Sequence, residues 1–156
     1  MRFILLDRIT QWKPGQHGRA TKNVALSEDF FDDHFPLKPI MPGALILEGM
    51  AQLSGLLLEE GIAQQEGRHV KALMSMVERA KFRSPAKPGD CLEYRADVLS
   101  TNELGGKTTA QTHIGESLIA ECSLLFSFHI YDNPRLDSRR ADVLHLLLKD
   151  VARHGC

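Results

Sequence analysis

Hydrophobic and polar positions follow two different periods along this chain. Residues 2–12 (RFILLDRITQW) and 17–27 (HGRATKNVALS) read as two strands joined by the turn sequence KPGQ, which predicts an opening β-hairpin. Residues 44–65 (ALILEGMAQLSGLLLEEGIAQQ) have helical spacing instead, and their apolar side chains almost encircle the helix axis. A helix that is apolar on nearly all sides is typically buried, so we expect it at the centre of the fold.

Strand periodicity returns after this helix, from Val70 onward. Residues 91–100 (CLEYRADVLS) alternate apolar and charged side chains, and residues 118–130 (LIAECSLLFSFHI) show the cleanest alternation in the chain. The turn-like sequences SPAKPGD and NELGG separate these segments, and the second suits a hairpin loop. We therefore predict about four long antiparallel strands here and an α+β fold, in which an antiparallel sheet wraps around the central buried helix.

The end of the chain carries a second helical pattern. From residue 139 onward, the apolar positions that share one helical stripe are Val143, Leu144, Leu147, Leu148 and Val151. This spacing predicts an amphipathic helix. The preceding residues 132–138 (DNPRLDS) read as a linker. We therefore predict one main domain over residues 1–132, followed by a linker and an additional C-terminal helix over residues 133–156.

Composition narrows the choice of partners and location. The chain has 156 residues and a formal net charge of -1, which argues against bulk electrostatic attraction to nucleic acid or to a membrane surface. No segment approaches the roughly 18 apolar residues of a membrane span, so we expect no membrane insertion. The three cysteines have no CxxC spacing, so no zinc site is indicated. A reducing cytoplasm is the expected location.

One stretch interrupts the apolar pattern of the buried helix. Residues 34–52 (HFPLKPIMPGALILEGMAQ) contain a histidine, three prolines and the lone carboxylate Glu48. Apolar neighbours favour the protonated form of Glu48, as a general acid near neutral pH requires. Gln52 lies one helical turn further and is close enough to hydrogen-bond the carboxyl group. His34 precedes the restricted Phe-Pro pair, and its imidazole suits a general base.

Pro42 and Gly43 mark the expected start of the helix. Proline fits the first turn because its missing N–H costs nothing there, and glycine allows a close approach to the backbone. The free amides and the helix dipole would stabilise a developing enolate oxygen, which makes this a candidate oxyanion hole. Each feature also has a structural explanation: a paired structural carboxylate, a turn histidine and a helix cap. Spacing alone leaves both explanations open.

The whole stretch resembles the active-site signature of the bacterial (3R)-hydroxyacyl-acyl carrier protein dehydratases of the FabZ type, HFP-x-x-P-x-x-PG-x-L-x-x-E-x-x-AQ. The matching positions are His34, Phe35, Pro36, Pro39, Pro42, Gly43, Leu45, Glu48, Ala51 and Gln52. The resemblance continues in residues 3–15 (FILLDRITQWKPG) and 81–90 (KFRSPAKPGD), and covers roughly residues 3–130. It implies the hot-dog fold, in agreement with the predicted order of strands and helix.

The resemblance also implies a reaction, the reversible elimination of water from a 3-hydroxyacyl thioester to give a trans-2-enoyl thioester. His34 would take the proton from C2, and protonated Glu48 would donate to the departing C3 hydroxyl. The Gly43 amide would hold the thioester oxygen. The other positions assigned to oxyanion and substrate binding are Pro42, Phe35 and Gln52. No metal and no organic cofactor is needed.

The partners implied by the resemblance are an acyl carrier protein, whose phosphopantetheine arm carries the substrate, and a second copy of the chain. The homodimer, which can assemble further as a trimer of dimers, would share each site between His34 of one protomer and Glu48 of the other. A local basic cluster could dock the acidic carrier protein; its members are Arg79, Lys81, Arg83 and Lys87. A solvated strand edge explains each of these side chains equally well.

The sequence departs from the family signature at several positions. The Phe-Ala-Gly tripeptide of the family is replaced by residues 74–76 (MSM), and Leu73 stands where a tunnel-gating tyrosine is frequent. Asp33 and Leu37 replace glycines on either side of His-Phe-Pro, and we expect no counterpart of the family's helix ahead of the first strand. These departures retain His34 and Glu48 and favour a specialised dehydratase.

Two other functions are compatible with the sequence. A thioesterase on the same fold would use Glu48 to activate water and would release the free thiol. A non-catalytic acyl-binding or scaffolding subunit would instead use the additional C-terminal helix as a partner surface. The presence of both His34 and Glu48 argues against the non-catalytic alternative.

Overall fold

The computed structural model describes residues 3–151, which form a single sheet and two helices. The elements in chain order are β1 (Arg8–Lys13), β2 (His17–Asn23), a short 3-10 turn (Asp29–Phe31), α1 (Gly43–Glu66), β3 (Lys71–Phe82), β4 (Cys91–Thr101), β5 (Gly105–Ile114), β6 (Ser117–His129) and α2 (Pro134–Leu148). Two strands, a helix, four strands and a terminal helix is the order that the sequence predicts.

The sheet has six strands in the order β1-β2-β4-β5-β6-β3, and every neighbouring pair is antiparallel. Helix α1 packs against it, and Leu53, Leu57 and Leu58 of this helix are completely buried. Strands β4 and β6 contribute Tyr94 and Leu124 to the same core. The prediction of a sheet around a central buried helix is therefore confirmed.

The predicted opening hairpin is confirmed, but both of its strands are shorter than predicted. Strand β1 begins at Arg8, because the Leu5 amide donates to the side-chain oxygen of Gln52 at 2.9 Å instead of to a neighbouring strand. Leu5 and Leu6, ahead of β1, are buried all the same, whereas Phe3 and Ile4 are exposed. Strand β2 ends at Asn23, because Val24 donates to the Asp90 carbonyl at 2.9 Å, in the turn before β4.

The predicted linker at residues 132–138 is wrong, because α2 already begins at Pro134. The Asn133 side chain accepts hydrogen bonds from the amides of Arg135 and Leu136, and Pro134 occupies the first turn. An N-cap asparagine followed by proline is a typical helix start, and Asp137 in the first turn complements the helix dipole. The polar, proline-containing sequence is thus the beginning of the helix. The helix ends at Leu148, so Val151 of the predicted stripe lies beyond it in a turn, and the predicted residues 152–156 lie outside the described residues.

Gly49 brings α1 close to β4. A Cβ atom at this position would lie 2.3 Å from Cζ of Tyr94, whose ring is completely buried. Gly55 lies further along the same helix, where an added Cβ would be no closer than 3.7 Å to any neighbour outside the helix. A methyl group can therefore be accommodated at Gly55 but not at Gly49 without a shift of Tyr94.

We expect Gly49→Ala to lower the free energy of unfolding, because overpacking a close-packed core costs about 1–3 kcal/mol. The better helix propensity of alanine returns no more than about 1 kcal/mol. Urea denaturation measures the change, and Gly55→Ala is the matched control, with the same propensity gain and no overlap. Equal stability of the two variants would show that Tyr94 does not limit the packing of α1.

Two further observations concern the described residues as a whole. No helix within residues 3–151 is long and apolar enough to cross a membrane. No cluster of three or more His, Cys, Asp and Glu side chains within these residues has a geometry suited to a metal ion. Cys122 is a buried free thiol in contact with Met50, as expected for a core residue, and burial raises its pKa to about 11.

Candidate active site

His34 is held by the chain segment that connects the 3-10 turn to α1. Its backbone amide donates to the Phe30 carbonyl at 3.0 Å, and its own carbonyl accepts from the Ile40 amide at 3.0 Å. Ring atom Nδ1 lies 2.8 Å from the Ile40 carbonyl oxygen, and the ring stacks on Phe35. Because a carbonyl oxygen can only accept, this contact assigns the proton to Nδ1. The lone pair on Nε2 is then available for a general base.

The start of α1 presents backbone amides to the surroundings. Pro42 occupies the N-cap position, one residue before the helix, and its carbonyl accepts from the Leu45 amide at 2.9 Å. No hydrogen bond recorded within residues 3–151 uses the Gly43 amide, as expected for the first turn of a helix. A Cβ atom at Gly43 would lie 3.2 Å from the ring of Phe82. Glycine thus leaves room between the helix start and β3.

Glu48 is oriented by Gln52, one turn further along α1. The Gln52 side-chain nitrogen donates to a carboxylate oxygen of Glu48 at 3.1 Å and to the Phe3 carbonyl at 3.1 Å. Its side-chain oxygen accepts from the Leu5 amide at 2.9 Å. These backbone contacts fix the orientation of the amide, so that its nitrogen must face Glu48. The hydrogen bond that the spacing predicts is present, and the second Glu48 oxygen remains available to a ligand.

A cavity of about 830 Å³ begins at the half-buried side chain of Glu48. One wall is the face of α1 that carries Glu48, Gln52, Gly55 and Glu59, and the opposite wall comes from β3 and Phe126. The N-terminal segment and α2 add further lining side chains, which are Phe3, Ile4, Leu6, Leu136, Val143 and Leu147. A mainly apolar cavity whose lining includes the Glu48 carboxyl group can hold an acyl chain and present its functional end to an acid.

Within residues 3–151, His34 and Glu48 share no recorded contact. His34 is not among the residues that line the cavity, and no hydrogen bond or ring contact within residues 3–151 joins the two side chains. Phe35 is half-exposed and contacts His34 rather than the cavity. A single protomer therefore has Glu48 in the lining of the cavity and His34 outside that lining.

A family model described as the FabA-like domain matches residues 1–134 of the chain. This chain belongs to the FabA-like family. The protein of Chlamydia trachomatis named 3-hydroxyacyl-[acyl-carrier-protein] dehydratase FabZ is 44% identical over 126 residues, which cover 80% of this chain and 81% of that protein. The protein of the same name from Thioalkalivibrio sulfidiphilus is 36% identical over 126 residues, covering 79% of this chain and 85% of that protein.

Solved structures resemble this FabA-like protein in fold. The dehydratase heterocomplex ApeI:P from Xenorhabdus doucetiae has a TM-score of 0.59 at 18% identity, covering 75% of this chain and 92% of that one. A hypothetical thioesterase with coenzyme A from Streptococcus pneumoniae has a TM-score of 0.60 at 11% identity, covering 78% of this chain and 84% of that one. At these identities the similarity shows the fold alone, and the hot-dog fold is confirmed.

Glu59 is a cavity residue of this FabA-like chain that the sequence reasoning missed. It follows Glu48 and Gln52 on the same face of α1. The two glutamates are eleven residues apart, about three helical turns, and this spacing indicates that they share a face of the helix. One carboxylate oxygen accepts from the Ala72 amide at 2.8 Å, and the other pairs with Arg140 of α2 at 2.5 Å. Burial raises the pKa of Glu59, and the positive charge of Arg140 opposes this shift.

Strand β3 is an edge of the sheet, and its only recorded strand partner within residues 3–151 is β6. Its exposed apolar side chains are Leu73, Met74, Met76, Val77 and Phe82. Leu73 and the Met-Ser-Met segment, the departures from the family signature, thus lie on this edge, and Leu73 and Met74 also line the cavity. An edge strand with a row of apolar side chains is a surface that native proteins usually cover or pair.

The predicted basic cluster lies at the end of β3 and in the turn that follows. Arg83 forms an ion pair with Glu121 of β6, so its charge is largely neutralised. Arg79, Lys81 and Lys87 are exposed, and no hydrogen bond or ion pair within residues 3–151 is recorded for their side chains. Three of the four predicted cations therefore remain available for an acidic partner.

Proposed function

We propose that this FabA-like protein is a 3-hydroxyacyl-acyl carrier protein dehydratase, which reversibly converts (3R)-hydroxyacyl thioesters into trans-2-enoyl thioesters in acyl-chain biosynthesis. The observation that carries the proposal is Glu48, oriented by Gln52 at the edge of an apolar cavity. The relatives named as dehydratases, with identities of 36% and 44%, support the same reaction. The Gly43 amide at the start of the same helix offers a donor for the thioester oxygen.

In the proposed reaction, the Gly43 amide donates to the thioester carbonyl and stabilises the negative charge that develops when C2 loses a proton. The Nε2 atom of His34 takes this proton. The C3–O bond breaks as Glu48 donates its proton to the hydroxyl group, which leaves as water, and the C2–C3 double bond forms. Proton exchange with solvent returns His34 to its neutral form and Glu48 to its protonated form.

We further propose that the active form is a homodimer joined along β3, which can assemble into a trimer of dimers. The cavity that contains Glu48 is not lined by His34 of the same chain, which supports a second chain as the source of the histidine. The exposed apolar side chains of β3 supply the surface for such a contact. The expected location of the enzyme is the cytoplasm, where the carrier-bound substrates are made.

The proposed carrier-protein contact uses the exposed cations Arg79, Lys81 and Lys87. An acyl carrier protein is acidic, so these charges would steer its approach and its phosphopantetheine arm would enter the cavity. Arg83 contributes less, because Glu121 already pairs with it. The contact is expected to weaken as the salt concentration rises.

The test is an assay with three classes of thioester: 3-hydroxyacyl, trans-2-enoyl and saturated. We expect the enoyl and 3-hydroxyacyl thioesters to interconvert, measured by enoyl absorbance and product mass, without release of thiol. Free thiol from the saturated thioester would favour the thioesterase. Binding of acyl carrier protein without conversion of any substrate would favour the scaffolding subunit and reject the dehydratase.

A further inference from the structure

Helix α2 contributes five side chains to the lining of the cavity that contains Glu48. Its cavity-lining side chains are Leu136, Arg139, Arg140, Val143 and Leu147. The match to the FabA-like domain ends at residue 134, where this helix begins. The side of the cavity formed by α2 therefore comes from a part of the chain that the family match does not include.

Three contacts fix α2 in this position. Near its start, Asp137 pairs with Lys71 of β3 at 2.8 Å. One turn later, Arg140 pairs with Glu59 of α1 at 2.5 Å, and the Glu59 side chain is only 10% exposed. Near its end, Leu147 is 3% exposed in the main core. A helix with two ion pairs and a buried leucine is a fixed wall rather than a loose tail.

The lining of the cavity extends along α1 from Glu48 to Glu59. Glu48 and Glu59 are separated by about 16 Å along the helix axis, at 1.5 Å per residue. The α1 residues that line the cavity between them include Ala51, Gly55 and Leu56, which are small or apolar. An acyl chain with its C3 atom at Glu48 would extend over these residues towards Glu59. There it would meet the ion pair of Glu59 and Arg140, and hydrocarbon gains nothing by contact with charged groups.

We propose that α2 is the closing wall of the acyl cavity and that Val143 helps to set the length of the acyl chain that this protein accepts. The inference rests on the proposed dehydratase function and specifies its substrate class. Val143 is half-buried and lines the cavity between the Arg140 pair and the buried Leu147. Its side chain therefore occupies space that a longer acyl chain would need.

The test compares Val143→Ala and Val143→Phe with wild type across trans-2-enoyl thioesters of increasing length, from crotonyl to long-chain. We expect Val143→Ala to raise kcat/KM for the longest chains relative to crotonyl by about tenfold, the effect of a methylene-sized change in an apolar pocket. Val143→Phe should shift the preference the other way. Each value is divided by kcat/KM of the same variant for crotonyl hydration, so that the readout is the chain-length preference and not the overall rate.

The matched controls are Leu146→Ala and Leu146→Phe, on the same helix. Leu146 is 67% exposed and does not line the cavity, so these variants should keep the wild-type length preference. Alanine is a better helix former than valine, so Val143→Ala is expected to remain folded, which thermal melting can verify. An unchanged preference in folded Val143→Ala, or an equal shift in the Leu146 variants, would overturn the inference.

A binding measurement separates this inference from the proposed reaction. Calorimetry with saturated acyl-pantetheine thioesters of graded length reports the length preference without turnover. If the protein converts no substrate but shows the Val143-dependent binding preference, the dehydratase function is rejected and the proposed role of α2 is supported. If the protein dehydrates its substrates with the same length preference in every variant, the dehydratase function is supported and the proposed role of α2 is rejected.

Discussion

His34→Ala and Glu48→Gln are each expected to slow hydration of a crotonyl thioester by about 10²–10⁴-fold, the usual contribution of a positioned acid or base. Alanine removes the Nε2 lone pair that the contact between Nδ1 and the Ile40 carbonyl leaves available. Glutamine keeps the shape of Glu48 and can still bond to Gln52, but it cannot donate a carboxyl proton. Steady-state kinetics measure the loss, and it should appear in kcat.

Two controls separate chemistry from folding in this experiment. His129→Ala removes an exposed histidine whose ring contacts Ser127, and Glu60→Gln removes a glutamate of α1 that does not line the cavity. Both should retain near wild-type rates, and all four variants should have the elution volume and thermal melting of wild type. A folded His34→Ala or Glu48→Gln protein with near wild-type kcat would rule out the proposed role of that residue.

The fold was largely predictable because it follows from strong local periodicity. Strand β6 alternates buried and half-buried side chains along its middle, and α1 buries side chains on nearly all sides, so each pattern had one interpretation. The ends of the strands and helices were harder to predict. The Leu5 amide bonds to the Gln52 side chain, and such a contact between distant residues leaves no periodic trace in the sequence.

In the candidate site, too, contacts between neighbouring residues could be predicted and contacts between distant residues could not. Gln52 lies one helical turn from Glu48, so their hydrogen bond follows from helix geometry. The position of α2 over the cavity depends instead on ion pairs with side chains far away in the sequence, such as Arg140 with Glu59. The proline at position 134 favoured a linker, although Asn133 and Asp137 beside it also matched a helix start.

The separation of His34 from Glu48 gives a second large effect, recovery of activity from two inactive proteins. If each site takes its base from one chain and its acid from the other, a mixed dimer of His34→Ala and Glu48→Gln chains contains one intact site and one doubly altered site. Random exchange makes half of the dimers mixed, and each mixed dimer has half of its sites intact. The expected activity of an equimolar mixture is therefore about a quarter of wild type.

The control for this mixing experiment uses the double variant His34→Ala/Glu48→Gln. Mixed with the His34→Ala protein, it leaves no histidine at position 34 in any chain, and the activity should stay at background. Chain exchange can be verified by native mass spectrometry of differently tagged proteins. Background activity in the complementary mixture, after exchange is verified, would mean that the two residues do not form one site across two chains. Recovery would instead explain why a single protomer holds Glu48 at the edge of a cavity that His34 does not line.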